Sequence, residues 1–348
     1  MGEKIILLVS AFLGLFLHTS LTFGNEDCQV RGKVSFGSGN LIIKRDDTRV
    51  SRSLSNIHVD SQLPLFCQPK GMDGILRLQN GCKLISGHEN ILLNQVNLEL
   101  DFLILPRIVS EILGEVKHKG ISMAETSSIE SEYGYLSWQG GLALTFHGNN
   151  FRSTIRYLHH QHEYADEGFF DSKDHQIQVI TTTSFSRELI GRMAVRMETA
   201  RFSRQQEVFH EQHTGTLYEV SLGSQWIHGF LINPGYAFQR NTSDRSEYSF
   251  SAHQFSIHAA FPLYWRMTFQ CYGRLRLCEY ESQEYVSPFP PDEDNAEQSR
   301  NELALSLSKD ILKSCSLEVR YLLSQMDPSS SYEKYRKQTY SLILSYVF

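Results

Sequence analysis

The chain has 348 residues, of which 41% are hydrophobic and 21% charged, with six cysteines and a formal net charge of −6. That length accommodates one large domain or two small ones, and the acidic balance excludes a broadly basic nucleic-acid-binding surface. A mean hydropathy of −0.30, with no apolar run near the roughly 20 residues a spanning helix needs, excludes a helical membrane protein.

The longest apolar run, Ile5–Leu17, follows Lys4 and leads into LTFG. A basic residue, a short apolar core and small residues form the layout of a secretory signal, which predicts a signal peptide over residues 1–24. Asn25-Glu26-Asp27 ahead of Cys28 do not form a lipoprotein box. On an exported chain Cys28, Cys67, Cys82, Cys271, Cys278 and Cys315 are free to form disulfides, Cys67 with Cys82 being the first pair to consider. No CxxC pair exists, which argues against a structural zinc site.

Residues 28–97 have more glycine and read as short strands, as in Gly39–Asp47 and Asp73–Asn94, with Asn80-Gly81 as a tight hairpin turn. Through Gly74, Leu76, Leu78, Asn80, Gly81 and Leu84 the second stretch resembles the periplasmic domain of the FecR-like family. Cys82 stands where that family commonly has Ser or Thr, and its Gly-Asp-x-x-x-Thr element is not recognisable in VDSQLPLFCQPKG. The resemblance implies a small β-rich periplasmic domain that binds a ligand or partner. The alternatives are another small β-domain or a barrel plug.

From Leu136 onward the pattern has period two, the mark of strands with unlike faces. Trp265, Met267, Phe269, Cys271, Leu275 and Leu277 alternate with Arg266, Thr268, Gln270, Arg274 and Arg276. Met193, Val195 and Met197 alternate with Arg192, Arg196 and Glu198, and the same division recurs near Tyr218, Leu303 and Leu317. A soluble sandwich turns the apolar face inward and a membrane barrel turns it outward. The connections decide for the barrel, because short ones such as His147–Asn150 alternate with long ones such as Ala165–Lys173, Ser203–Gly215 and Glu281–Ser299. Eleven strands fit between Leu136 and Phe348, and parity requires one more, placed in Leu98–Lys117. A phase slip in Tyr248–Phe261 predicts a bulge near Ala252–Gln254. The expected fold is therefore all-β: a twelve-stranded antiparallel transmembrane β-barrel over residues 98–348, preceded by the small periplasmic domain.

The final stretch, YSLILSYVF, alternates Tyr340, Leu342, Leu344, Tyr346 and Phe348 on one face. It resembles the terminal signal of bacterial outer-membrane barrels, which implies that Tyr340, Tyr346 and Phe348 are read by the barrel assembly machinery.

No nucleophile, phosphate-loop or HExxH motif occurs, so neither an enzyme nor a cofactor is expected. Arg152, Arg156, Arg192, Arg196, Arg266, Arg274, Arg276 and Arg320 should line the lumen, with Glu198, Glu219, Glu302 and Glu318 among them. Such a stripe favours anions in a water-filled pore, although in a narrow barrel Arg and Glu can simply fill the interior by pairing. HHQHEY (His159–Tyr164), Asp174-His175 and HEQH (His210–His213) all fall at one end of the strands. His160, His162, His175, His210 and His213 are metal candidates, since neutral imidazole suits zinc, copper, nickel or iron; solvated loop histidines are the alternative.

The expected location is the outer membrane of a Gram-negative cell, with the N-terminal domain in the periplasm. A pore or transport-type barrel is the leading reading, with outer-membrane lipid and a small solute or metal ion as partners. A non-conducting surface anchor that displays loops such as Glu281–Ser299 is the competing one.

Overall fold

The computed structural model describes residues 31–45, 48–64, 72–85, 89–123, 134–164, 171–202, 213–281, 300–326 and 335–347. Nearly all of them lie in sixteen strands. The first five are β1 (Arg31–Arg45), β2 (Thr48–Pro64), β3 (Met72–Ile85), β4 (Glu89–Leu105) and β5 (Ile108–Met123). Next come β6 (Tyr135–His147), β7 (Phe151–Tyr164), β8 (Ser172–Ser184), β9 (Leu189–Phe202), β10 (His213–Ile227) and β11 (Leu231–Ser243). The series ends with β12 (Phe250–Leu263), β13 (Met267–Tyr280), β14 (Arg300–Leu312), β15 (Cys315–Met326) and β16 (Tyr335–Val347).

Each strand pairs antiparallel with its sequence neighbours, and β1 pairs with β16, from Lys33 opposite Val347 to Arg45 opposite Tyr335. Closure leaves no sheet edge with unpaired backbone groups, the condition a sheet must meet in hydrocarbon. At that seam Gly39 lies against Tyr340: a Cβ on Gly39 would collide with the Tyr340 carbonyl oxygen.

Alternation sets the two faces. On β10, Tyr218, Val220, Leu222 and Trp226 are exposed on the outside, while Glu219 and Ser221 point inward. The same split gives outward Ile155 and Tyr157 on β7, Ile177 and Val179 on β8, and Leu342 and Leu344 on β16. Exposed apolar side chains around most of the circumference, from β4 onward above all, suit lipid and not water. Aromatic rings flank this band. Trp138 with His159 stands toward one rim, and Phe146 with Phe151 and Phe261 with Phe269 toward the other. Trp138 and Phe146 are eight residues apart on β6, about 27 Å along the strand. At a tilt of about 40° this is roughly 20 Å along the barrel axis, close to the ~25 Å apolar band of such barrels.

Both described ends of the chain lie at one rim. From β4 onward the connections at that rim are short: Pro106-Arg107 and residues 148–150, 185–188, 228–230, 264–266 and 313–314. At the far rim the spans between strands run longer, for example 203–212 between β9 and β10 and 281–299 between β13 and β14.

Several expectations change. The eleven strands after Leu136 are β6 to β16, but the barrel has sixteen strands and not twelve. Among the described residues no separate N-terminal β-domain or FecR-like module is seen, since residues 31–45, 48–64, 72–85 and 89–105 are the first four barrel strands. Asn80-Gly81 is no turn. Both residues sit inside β3, with Val59 and His58 opposite on β2 and Asn94 and Leu93 on β4, because two paired neighbours hold an Asn-Gly step extended. The stretch Leu98–Lys117, within which one strand is expected, holds the end of β4 and the start of β5, a hairpin that turns at Pro106-Arg107, since proline has no N–H to give a ladder.

The register of β12 against both neighbours runs without a slip, so there is no bulge at Ala252–Gln254. The apparent phase shift arises because Tyr248 belongs to a one-turn 3-10 helix, Ser246–Tyr248, ahead of the strand. Cys82 is a free thiol, which removes the Cys67–Cys82 disulfide. The signal peptide, Cys28, Cys67, His210 and Phe348 lie outside the described residues.

Candidate functional site: the lumen wall

Sixteen strands enclose a lumen wide enough for an aqueous channel, whereas about eight would be filled by side chains. The inward positions of β7 to β13 near the terminal rim line a recess of about 560 Å³ that includes Arg152, Arg156, Arg192, Asn233, His258 and Tyr272. Period two places Arg152 and Arg156 on the same face of β7, and the β8 register carries that face across to Arg192 on β9.

Glu111 on β5 holds the first two arginines. Its carboxylate is almost wholly buried, accepts a 2.6 Å hydrogen bond from the Thr145 hydroxyl, and lies 3.3 Å from Arg152 and 3.9 Å from Arg156. Thr145 and Thr154 are also hydroxyl neighbours, 2.9 Å apart. Arg192 is exposed, and among the described residues no carboxylate lies within ion-pair distance of it. Beside Glu111 the inward side chains of Glu99 and Asp101 on β4 bring further carboxylates, with an oxygen of each of the three within 4.8 Å of the others. Near the terminal rim the lumen wall thus carries an acidic sector on β4–β5 and a basic one on β7–β9.

Other arginines expected in the lumen are paired there. Arg196 meets Glu219 at 3.1 Å and Glu198 at 3.9 Å, with the Gln239 amide donating to Glu219 at 2.7 Å. Arg274 meets Glu302 at 2.9 Å, and Arg320 meets Glu318, two residues away on β15, at 2.9 Å. Arg276 is buried, with its guanidinium 5.0 Å from the centre of the Phe250 ring. Arg266 departs from expectation. It lies in the turn between β12 and β13, where Trp265 and Arg266 both have positive φ (61° and 58°), so it occupies no strand position that could face the lumen.

The histidines separate by face. His160 and His162 point inward, where Asp174 of β8 joins them, with His160 Nδ1 3.2 Å from its carboxylate. His175 is on the outer face, hydrogen-bonded to the Tyr157 hydroxyl at 2.8 Å and packed on His159. His213 is buried between the Phe202 and Tyr248 rings, at 4.5 and 4.3 Å. Neither can share an ion with His160: one is across the sheet and the other is enclosed by aromatic rings. Glu111, Glu99 and Asp101 carried no recognised signal in the sequence, because their pairing depends on the β4–β5–β6–β7 register.

No protein-family model matches the chain, and no curated protein matches it. Solved structures do resemble it. They include Acinetobacter baumannii OccAB4, with 8% identity, 93% of this chain and 99% of that chain covered, and a TM-score of 0.48. OmpF of Salmonella typhi, in complex with daunomycin, has 9% identity, 92% and 98% coverage and a TM-score of 0.51. At 9% identity the OmpF likeness extends to the fold alone, a closed antiparallel β-barrel.

Proposed function

We propose that this protein is an outer-membrane pore that passes small hydrophilic solutes. The observation that carries the reading is a closed sixteen-stranded barrel with an apolar outside and a charged, recessed inside. Barrels of this strand number leave a water-filled channel. The rim with both chain ends and the short turns is taken as periplasmic, following the asymmetry of such barrels. Outer-membrane lipid covers the apolar band, and the terminal strand, with Tyr340 and Tyr346 facing outward, is the element offered to the barrel assembly machinery.

Anions travel along the Arg152–Arg156–Arg192 side of the lumen, because a ring or stripe of arginines sets selectivity at close quarters. Refolded full-length protein in a planar bilayer tests this through its reversal potential in a salt gradient. A potential on the anion-preferring side supports the reading, and one on the cation-preferring side removes the role given to the arginines.

A further inference from the structure

Toward the far rim of the lumen, three ligand-type side chains converge from two neighbouring strands. His160 and His162 are two residues apart on β7, so both face inward, with ring centroids 4.0 Å apart. The β7–β8 register sets Asp174 directly opposite His160, and its carboxylate is 3.2 Å from His160 Nδ1. One donor atom from each of the three lies within 4.8 Å of the other two.

Two observations separate this group from an ordinary His–Asp pair. The buried Nδ1 of His162 has no hydrogen-bond partner, a state that costs about 1–3 kcal/mol unless something else binds there. All three residues also sit inside strands paired on both sides, where register fixes their spacing.

Ligand bonds of about 2.0–2.2 Å around a tetrahedral ion put adjacent donor atoms roughly 3.3–3.5 Å apart. His160 Nδ1 and Asp174 Oδ2 stand near that spacing, and a His162 ring nitrogen lies within 4.8 Å of both partners.

We propose that His160, His162 and Asp174 bind one divalent transition-metal ion of the zinc class on the lumen wall, with the fourth position open to the lumen. Two imidazoles and a carboxylate suit zinc, nickel or copper and do not suit magnesium or calcium, which take oxygen ligands. Lys117 and Lys119, over the Tyr135 ring at 5.4 and 5.8 Å, bring opposing positive charge. Glu198, the next inward acid on β9, offsets part of it. Selection therefore comes from coordination and not from a general negative field. The site depends on the barrel register and is independent of whether the lumen conducts.

Calorimetric titration of refolded full-length protein with zinc chloride tests it. One saturable equivalent is expected, and His160→Ala, His162→Ala and Asp174→Ala should each weaken binding by about tenfold or more, at least the loss seen when a supporting residue of a metal ligand is removed. His159→Ala and His175→Ala change neighbours on the outer face and should bind as the parent does. Mobility of the unheated sample on a detergent gel checks that each variant has folded. Should a triad variant fail to fold, the cobalt(II) spectrum of the unmodified protein decides. Bands of a low-coordinate ion are expected, and the spectrum of the aquo ion overturns the site. Absence of saturable zinc binding overturns it too, as does binding that survives the triad changes or disappears only with His210→Ala or His213→Ala.

Discussion

Thr145 on β6 donates a 2.6 Å hydrogen bond to Glu111 on β5, and that carboxylate in turn faces two arginines from β7. One buried acid thereby fixes the positions of Arg152 and Arg156 at the edge of the lumen recess. Hydrogen bonds to charged groups contribute about 1.5–3 kcal/mol each, so Glu111→Ala should lower the stability of the refolded barrel by about that amount in a urea titration. Glu111→Gln keeps the acceptor for Thr145 and removes the charge. It should leave stability nearer the parent's and move the reversal potential further toward anions, and an unchanged potential would detach Glu111 from selectivity.

Arg192 offers the cleaner test of the basic sector, because it is exposed on the inner face and holds no described carboxylate in an ion pair. Arg192→Glu reverses a charge without leaving a partner stranded. The gel mobility of the folded form should be unchanged, while the reversal potential shifts toward cations.

Two adjacent residues on β10 report the orientation of the sheet. Val220 lies outward between Val195 and Phe238, and Ser221 lies inward between Ala194 and Ala237. Val220→Arg should cost about 2–4 kcal/mol at mid-membrane depth, read as a lowered urea midpoint in lipid vesicles. Ser221→Arg should cost far less and should instead alter conductance. Equal penalties would mean that the faces are wrongly assigned.

Closure makes its own demand at Gly39. Any side chain there meets the Tyr340 carbonyl, so β1 and β16 could pair only after the backbones separate. Gly39→Val should reduce the heat-modifiable fraction on a detergent gel severalfold, and Ser38→Val, one residue away on the opposite face, should not.

How much of this was legible in the sequence followed from how cleanly the faces differ. β6 to β16 stood out because outward runs such as Met193-Val195-Met197 contain no polar residue. In β1 to β3 the outward positions include Ser38, Ser53, Ser55 and Asn80, which blurs the alternation and makes barrel strands resemble a small separate domain. The short spans 46–47 and 86–88 at the far rim also break the parity that marked the rest. Pro106 was the available clue to the β4–β5 hairpin. The lumen pairs were legible only as a shared face. That Arg196 meets Glu219, or that His160 meets Asp174 and not His175, depends on register between strands, which one sequence does not display.

Single-channel recording of the refolded full-length protein in a planar lipid bilayer tests the central claim most directly. A conducting sixteen-stranded barrel gives discrete, long-lived open steps with a preference for anions that Arg192→Glu diminishes. Protein that inserts and shifts mobility on boiling, yet leaves the bilayer silent, would contradict the account and leave a closed barrel without a pore.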